Sequence, residues 1–338
     1  MKKALVFGAG GFIGNAMVTR LKQENYWVKG VDLKLPDFSE SHADEFVVGD
    51  LRNFHLVESV LSTPILIDEI YQFAADMGGA EFIFSGENDA SIMHNSALIN
   101  LNLLEVLRMN KNSKLPKVFY SSSACIYPEF NQIDPDNPIT EESTAYPANP
   151  DSEYGWEKLF SERLYLSFAR NFNIDVSIAR YHNIFGPLGT WDGGREKAPA
   201  AFCRKISRLP ASGGTIEVWG DGNQTRSFLY IDDCIDATRM LMKSNFSGPV
   251  NIGSEEMVSI NQLIGYISAI AGKIVTCKNN LIGPLGVRGR TSHNKLIHDK
   301  VGWSPKVNLF SGLEKTYSWI ENQIKQTKTD LNPAKSYE

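Results

Sequence analysis

The first 32 residues constrain the chain most. Residues 3–8 (Lys-Ala-Leu-Val-Phe-Gly) are an apolar run that enters a glycine-rich turn, Gly8-Ala-Gly10-Gly11-Phe12-Ile13-Gly14. Residues 14–25 then carry Ala16, Met17 and Leu21 at helical spacing, and residues 27–32 form a second apolar run ending at Asp32. Strand, helix and strand within about 30 residues make a βαβ unit, which builds a parallel sheet with helices on its faces. Glycines at the strand–helix junction permit a tight turn, close approach of backbone to a pyrophosphate, and close packing of helix on strand, with the helix N-terminus facing the anion. The spacing is G-x-x-G-x-x-G on Gly8, Gly11 and Gly14.

The pattern continues downstream. Residues 69–75 and 117–123 read as strands, 90–110 and 154–172 as helices, 175–180 as a strand and 250–253 as a short one. The fold class is therefore α/β: a Rossmann-type doubly wound parallel sheet with a smaller, discontinuous α/β substrate domain. Residues 1–185 plus 229–254 are expected to form the dinucleotide-binding domain. Residues 186–228, rich in Gly, Pro, Arg and Lys, are expected to form the substrate domain together with 255–325. Residues 326–338 read as a polar tail.

Composition narrows the class. With 34 Lys+Arg against 39 Asp+Glu among 338 residues, the net charge is -5, and 42% of residues are hydrophobic. That is ordinary globular composition and argues against nucleic acid as a partner. No run of about 18 apolar residues offers a membrane span. Cys125, Cys203, Cys234 and Cys277 are widely spaced with no CxxC pair, so a reduced, cytoplasmic chain without structural zinc is expected. His182 and His298 have no metal-ligand spacing, and no metal is assigned.

Asp32 closes the second strand about 20 residues after the glycine turn, where a carboxylate binds ribose hydroxyls and repels a 2′-phosphate. The expected cofactor is NAD. Phe12 and Ile13 of the turn, Asp50 and Leu51 after the next strand end, and Ala74 complete the expected cofactor set. Tyr154-Gly-Trp-Glu-Lys158 places a phenol and an ammonium on one helix face. The ammonium would lower the phenol's pKa so that it takes a hydroxyl proton near neutral pH. Lys158 would also bind the nicotinamide ribose, and Ser123 ends the preceding strand with a hydroxyl for a substrate oxygen.

Gly8, Gly11, Gly14, Asp32, Ser123, Tyr154 and Lys158, in that order, resemble the extended short-chain dehydrogenase/reductase family, whose members act on nucleotide sugars. Longer strings are more specific: Ala74-Ala-Asp-Met-Gly-Gly79, Ser122-Ser-Ala-Cys-Ile-Tyr-Pro128, Gly193-Gly-Arg-Glu-Lys-Ala198, Trp219-Gly-Asp-Gly-Asn-Gln-Thr-Arg226 and Gly286-Val-Arg-Gly-Arg290. These resemble the GDP-mannose 3,5-epimerase branch of that family, over residues 4 to 323. Residues 80–92 and 206–216 depart from the branch's pattern.

The resemblance implies a GDP-sugar substrate, a homodimer built on the helices near 90–110 and 154–172, and an acid/base pair, Cys125 and Lys197, at the sugar. It also implies substrate contacts at Gly78, Ser123, Ala124, Asn183, Glu196, Ala198, Lys205, Gln224, Thr225, Arg226 and Arg290. Oxidation at C4 makes the protons at C3 and C5 acidic, which gives such a pair its purpose. A related GDP-sugar C4-epimerase or C4-dehydrogenase, acting for example on a GDP-heptose, is the alternative. A dinucleotide-binding protein without turnover is a third reading, against which the Ser123/Tyr154/Lys158 set argues.

Overall fold

The computed structural model describes residues 1–62, 66–110, 114–282 and 286–331. The strands are β1 (Lys3–Phe7), β2 (Trp27–Asp32), β3 (Glu45–Val48), β4 (Glu69–Gln72), β5 (Lys117–Ser123), β6 (Val176–Tyr181), β7 (Ile184–Phe185), β8 (Gly214–Trp219), β9 (Thr225–Ser227), β10 (Leu229–Tyr230), β11 (Val250–Ile252), β12 (Met257–Ser259), β13 (Val275–Asn280) and β14 (Gly289–Arg290). The helices are α1 (Phe12–Gln23), α2 (Phe54–Leu61), α3 (Ala80–Phe84), α4 (Asp89–Met109), α5 (Glu153–Phe172), α6 (Ala198–Ser207), α7 (Ile231–Lys243), α8 (Ile260–Ala271), α9 (Lys295–Val301) and α10 (Leu309–Leu331).

Seven strands form one sheet in the order β11-β6-β5-β4-β1-β2-β3, and every pairing in it is parallel. This is the doubly wound sheet expected from the βαβ pattern. The order reverses direction between β1 and β4, so a crevice opens at the C-terminal ends of those strands. Alternation along β1 shows how both faces are covered. Ala4 and Val6 pack with Met17, Val18 and Leu21 of α1 and with Ile235 and Leu241 of α7. Leu5 and Phe7 pack on the other face with Val57 of α2, Leu103 of α4 and Tyr165 of α5.

Residues 186–228 contain more regular structure than their composition suggests. Strand β8 pairs parallel with β13, β9 lies between β12 and β14, and α6 packs against α8 and α10. In β8 only Ile216 and Val218 are buried, so the two-stranded ribbon carries little apolar signal. Helix α8 is entered through a capping box, in which Ser259 accepts the Gln262 amide and Gln262 accepts the Ser259 amide. Helix α10 runs to Leu331, into the segment read from sequence as a polar tail. Its Lys, Gln and Thr residues extend a helix already nucleated by buried Leu313, Tyr317 and Ile320. Residues 332–338 lie outside the described residues. Among the described residues no helix is long and apolar enough to cross a membrane.

Candidate active site

Three glycines of the turn after β1, Gly8, Gly10 and Gly14, have no room for a side chain. At Gly14 a Cβ would sit 1.9 Å from the Gly8 carbonyl oxygen, and at Gly10 it would sit 2.1 Å from that of Lys34. Gly8 itself has φ +81, a left-handed backbone. The α1 N-cap, Gly11, offers no side-chain acceptor, so the amides of the first turn, including Phe12 and Ile13, remain available to an anion. Asp32 Oδ2 accepts the Gly10 amide at 2.9 Å, which ties the end of β2 to the turn. A cavity of about 90 Å³ opens beside it, lined by Gly10, Gly11, Phe12, Lys34, Phe38 and Leu188 among others. A larger cavity of about 340 Å³ lies at the opposite, N-terminal edge of the strands, among Lys2, Glu69, Lys117 and Lys243. Its charges pair with one another and with Glu24 and Asp175.

These features fit a dinucleotide: a cradle that any Cβ would fill, an uncapped helix start, and a carboxylate at the end of β2. Leu51 is buried beneath α2, and Ala74 is held by Gln72, whose Oε1 accepts its amide at 3.1 Å. Asp50 is engaged by Arg52 at 2.7 Å on the surface, and this ion pair holds its carboxyl below the usual range.

The second half of the site gathers at the C-terminal end of β5. Ser123 caps the next turn by accepting the Cys125 amide at 3.2 Å, and its hydroxyl also hydrogen-bonds the Tyr154 phenol. Helix α5 starts at Glu153 behind the Ser152 cap. Gly155 in its first turn is forced: a Cβ there would lie 2.2 Å from the Cys125 carbonyl oxygen. The absent side chain lets the helix rest on the Cys125 backbone, which brings Tyr154 against Cys125. Lys158 is buried, donates to the Ser121 carbonyl at 3.0 Å, and stands 5.7 Å from the Tyr154 ring centroid.

One sequence expectation is corrected here. Burial, followed by Cys125, raises the Tyr154 pKa, and the Ser123 hydrogen bond only partly opposes it. Burial also lowers the pKa of Lys158.

Lys197 caps α6 and is half-buried. Burial lowers its pKa, Cys125 opposes this, and Arg290 adds to the lowering. Arg290 is buried, and its Nη1 donates to the Cys125 sulfur at 3.1 Å. Arg226 is its register partner on β9. Its guanidinium donates to the carbonyls of Thr225 and Val287, and burial, then Arg290, depresses its pKa to about 10. The structure therefore brings Ser123, Cys125, Tyr154, Lys158, Lys197, Arg226 and Arg290 together.

The remaining candidates sit around this group. Ala124 is buried in the turn after β5, and Ala198 opens α6. Glu196 is committed to its own loop, where its carboxylate accepts the Gly194 amide at 2.8 Å and pairs with Arg204. At Gly78 a Cβ would meet Phe82 at 2.7 Å, so this glycine makes room for Phe82. Asn183 holds φ 44 and donates to the Ser227 carbonyl. Lys205 donates to the Glu217 carbonyl at 2.9 Å, and burial lowers its pKa. Gln224 Nε2 donates to the Trp219 carbonyl, and Thr225 donates to the Pro135 carbonyl. Sequence reasoning missed Gly155, Asp151 and Gln132. Only Gly155 left a signal, as a glycine in the first turn of the helical pattern, far from the C-terminal end where a glycine is usual.

The model of the NAD dependent epimerase/dehydratase family matches residues 4–253. The chain belongs to that family. Within it, the chain is 45% identical over 328 residues to GDP-mannose 3,5-epimerase of Arabidopsis thaliana, covering 96% of this chain and 84% of that one. It is 44% identical over 326 residues to GDP-mannose 3,5-epimerase 1 of Oryza sativa subsp. indica, covering 96% and 83%. The fold matches UDP-glucose 4-epimerase of Thermotoga maritima, solved with UDP-glucose, at TM-score 0.83 and 26% identity, covering 95% and 99% of the two chains. It also matches UDP-glucuronic acid 4-epimerase of Bacillus cereus, solved with its nucleotide sugar and NAD, at TM-score 0.78 and 27% identity, covering 95% and 99%.

Proposed function

We propose that this chain is an NAD-dependent GDP-mannose 3,5-epimerase. The observation that carries the reading is the convergence of Cys125 and Lys197, from two different segments, beside the Tyr154/Lys158 pair. A C4-epimerase has no task for that second pair.

The glycines of the β1–α1 turn and Asp32 would hold NAD, which would supply a hydride acceptor and donor for C4 and, when oxidised, positive charge beside the phenol. Tyr154, oriented by Ser123, takes the O4 proton. The 4-keto sugar then has acidic protons at C3 and C5. Cys125 removes one from one face, and Lys197, whose depressed pKa lets it give up a proton readily, supplies one on the other. Tyr154 finally returns the O4 proton. The products are GDP-L-galactose and GDP-L-gulose. Residues 1–185 plus 229–254 hold the cofactor in this reading, and 186–228 plus 255–325 hold the GDP-sugar, with Lys205, Gln224, Thr225 and Arg226 toward the nucleotide. Ala198, Gly78, Asn183 and Glu196 shape the sugar end.

Exposed Leu101 and Met109 on α4 and Trp156 and Phe160 on α5 support a homodimer through those helices. Four unpaired cysteines support a reducing, cytoplasmic setting. The test is NMR of GDP-mannose incubated with the enzyme in deuterium oxide. Deuterium at C5 and C3 with new L-sugar signals is expected. Inversion at C4 alone, without deuterium at either carbon, would move the reading to a GDP-sugar C4-epimerase.

A further inference from the structure

The resemblance placed Arg290 among the nucleotide-sugar contacts, but each of its three guanidinium nitrogens has a partner within the protein. Its Nε donates to Gln132 Oε1 at 2.6 Å, Nη2 pairs with Asp151 Oδ2 at 3.0 Å, and Nη1 reaches Cys125 Sγ at 3.1 Å. Gln132 is itself locked, because its Nε2 donates to the carbonyls of Tyr127 and Pro128. Its oxygen can therefore only face the guanidinium. The Asp151 side chain is 4% exposed, immediately before the Ser152 cap of α5. A planar fork held at two nitrogens has one direction left for the third, and that direction is the sulfur. Among the described residues, Arg226, Lys197, Tyr154 and Lys158 also interact electrostatically with Cys125.

We propose that Arg290 acts in the proton-transfer step at Cys125, and that Asp151 and Gln132 are its positioning residues. The proposal rests on Cys125 being the acid/base of the reading above. In that step the thiolate takes the C5 or C3 proton. An S–H bond forms, the C–H bond breaks, and its electron pair moves onto the C4 oxygen as an enolate. A cationic donor on the sulfur stabilises the thiolate that must exist before the transfer. It also fixes the sulfur's position relative to Tyr154. A diphosphate anchor would instead present its fork to solvent.

The test compares Arg290→Gln and Asp151→Ala in a Cys277→Ser background, which removes the other partly exposed thiol. Two measurements are made on the holoenzyme: alkylation of Cys125 by iodoacetamide across pH, and steady-state deuterium exchange at C5 of GDP-mannose. In Arg290→Gln the alkylation rate near pH 7 is expected to fall about tenfold or more. Exchange kcat falls with it, while KM for GDP-mannose stays within about threefold.

Asp151→Ala is expected to show the same loss, and Asp151→Asn, which keeps an acceptor, is expected to recover part of it. Unchanged alkylation in Arg290→Gln would overturn the proposal, as would a raised KM with retained kcat. Faster alkylation in Asp151→Ala would make Asp151 a counter-charge and overturn its positioning role. Should Arg290→Gln fail to fold, Arg290→Lys keeps the buried charge without the fork and carries the same expectation. Alkylation needs no sugar. A normal alkylation pattern with no exchange from GDP-mannose would therefore sink the epimerase reading alone.

Discussion

The Lys158 ammonium donates to the main-chain carbonyl of Ser121 at 3.0 Å. The bond ties helix α5 to the strand that ends at Ser123, so the lysine fixes the distance between the phenol and the serine as well as supplying charge. Lys158→Met should therefore lose both functions. Formation of the reduced cofactor on mixing with GDP-mannose is expected to slow at least about 100-fold. Retained NAD content, read by absorbance of the denatured extract, would separate this from loss of the cofactor.

Cys125 and Lys197 come to the site from different segments, so they can be removed separately. Cys125→Ala and Lys197→Ala should each abolish deuterium incorporation at C5 and C3 while C4 oxidation persists. A variant that still exchanges at its wild-type rate would exclude that residue from the acid/base pair.

The glycines give a third expectation. Ala is normally about 1 kcal/mol better than Gly inside a helix. At Gly155 that gain is overridden, because the added Cβ would press on the Cys125 carbonyl 2.2 Å away. Gly155→Ala should displace Tyr154 from Cys125 and lower kcat by about 100-fold, with a lowered melting temperature. Gly14→Ala, with its Cβ 1.9 Å from the Gly8 carbonyl, should instead empty the protein of NAD.

His182 predicts the acid limb of stability. Its ring is buried, its Nε2 faces Asn251 Oδ1 at 3.0 Å, and burial depresses its pKa from the ordinary 6.5 to about 3. The imidazole is neutral in the folded chain, whereas the unfolded chain binds a proton below about pH 6.5. Stability from this group is therefore full above that pH. It is lost as pH falls toward about 3, at a slope approaching about 1.4 kcal/mol per unit. His182→Gln should flatten that part of a denaturant-midpoint profile. An identical slope in the variant would show that other groups control it.

The parallel sheet was legible because its strands other than the edge strand β3 are buried on both faces and read as apolar runs, and because turn glycines punctuate it. Strand 27–32 and strand 117–123 lie where the pattern put them. The Tyr154 and Lys158 pair was legible because helical spacing is local. The Arg290 clamp was not, because its partners are 139 and 158 residues away in sequence and no periodicity links them. The phenol's raised pKa was missed for a related reason. Spacing reveals the neighbouring ammonium but not the burial that outweighs it. Strand β8 was missed because a thin, half-exposed ribbon needs only two buried apolar side chains.

The outer edge of β6 is covered by β11, whose three residues begin at Val250. Asn251 in β11 also accepts the Tyr127 hydroxyl and donates to the Thr140 carbonyl. A chain still on the ribosome thus completes β1 through β6 long before it can seal that edge. For the time needed to synthesise some seventy further residues, β6 presents unpaired backbone groups to whatever is nearby. The sheet's last strand is its protection against pairing with a neighbouring nascent chain.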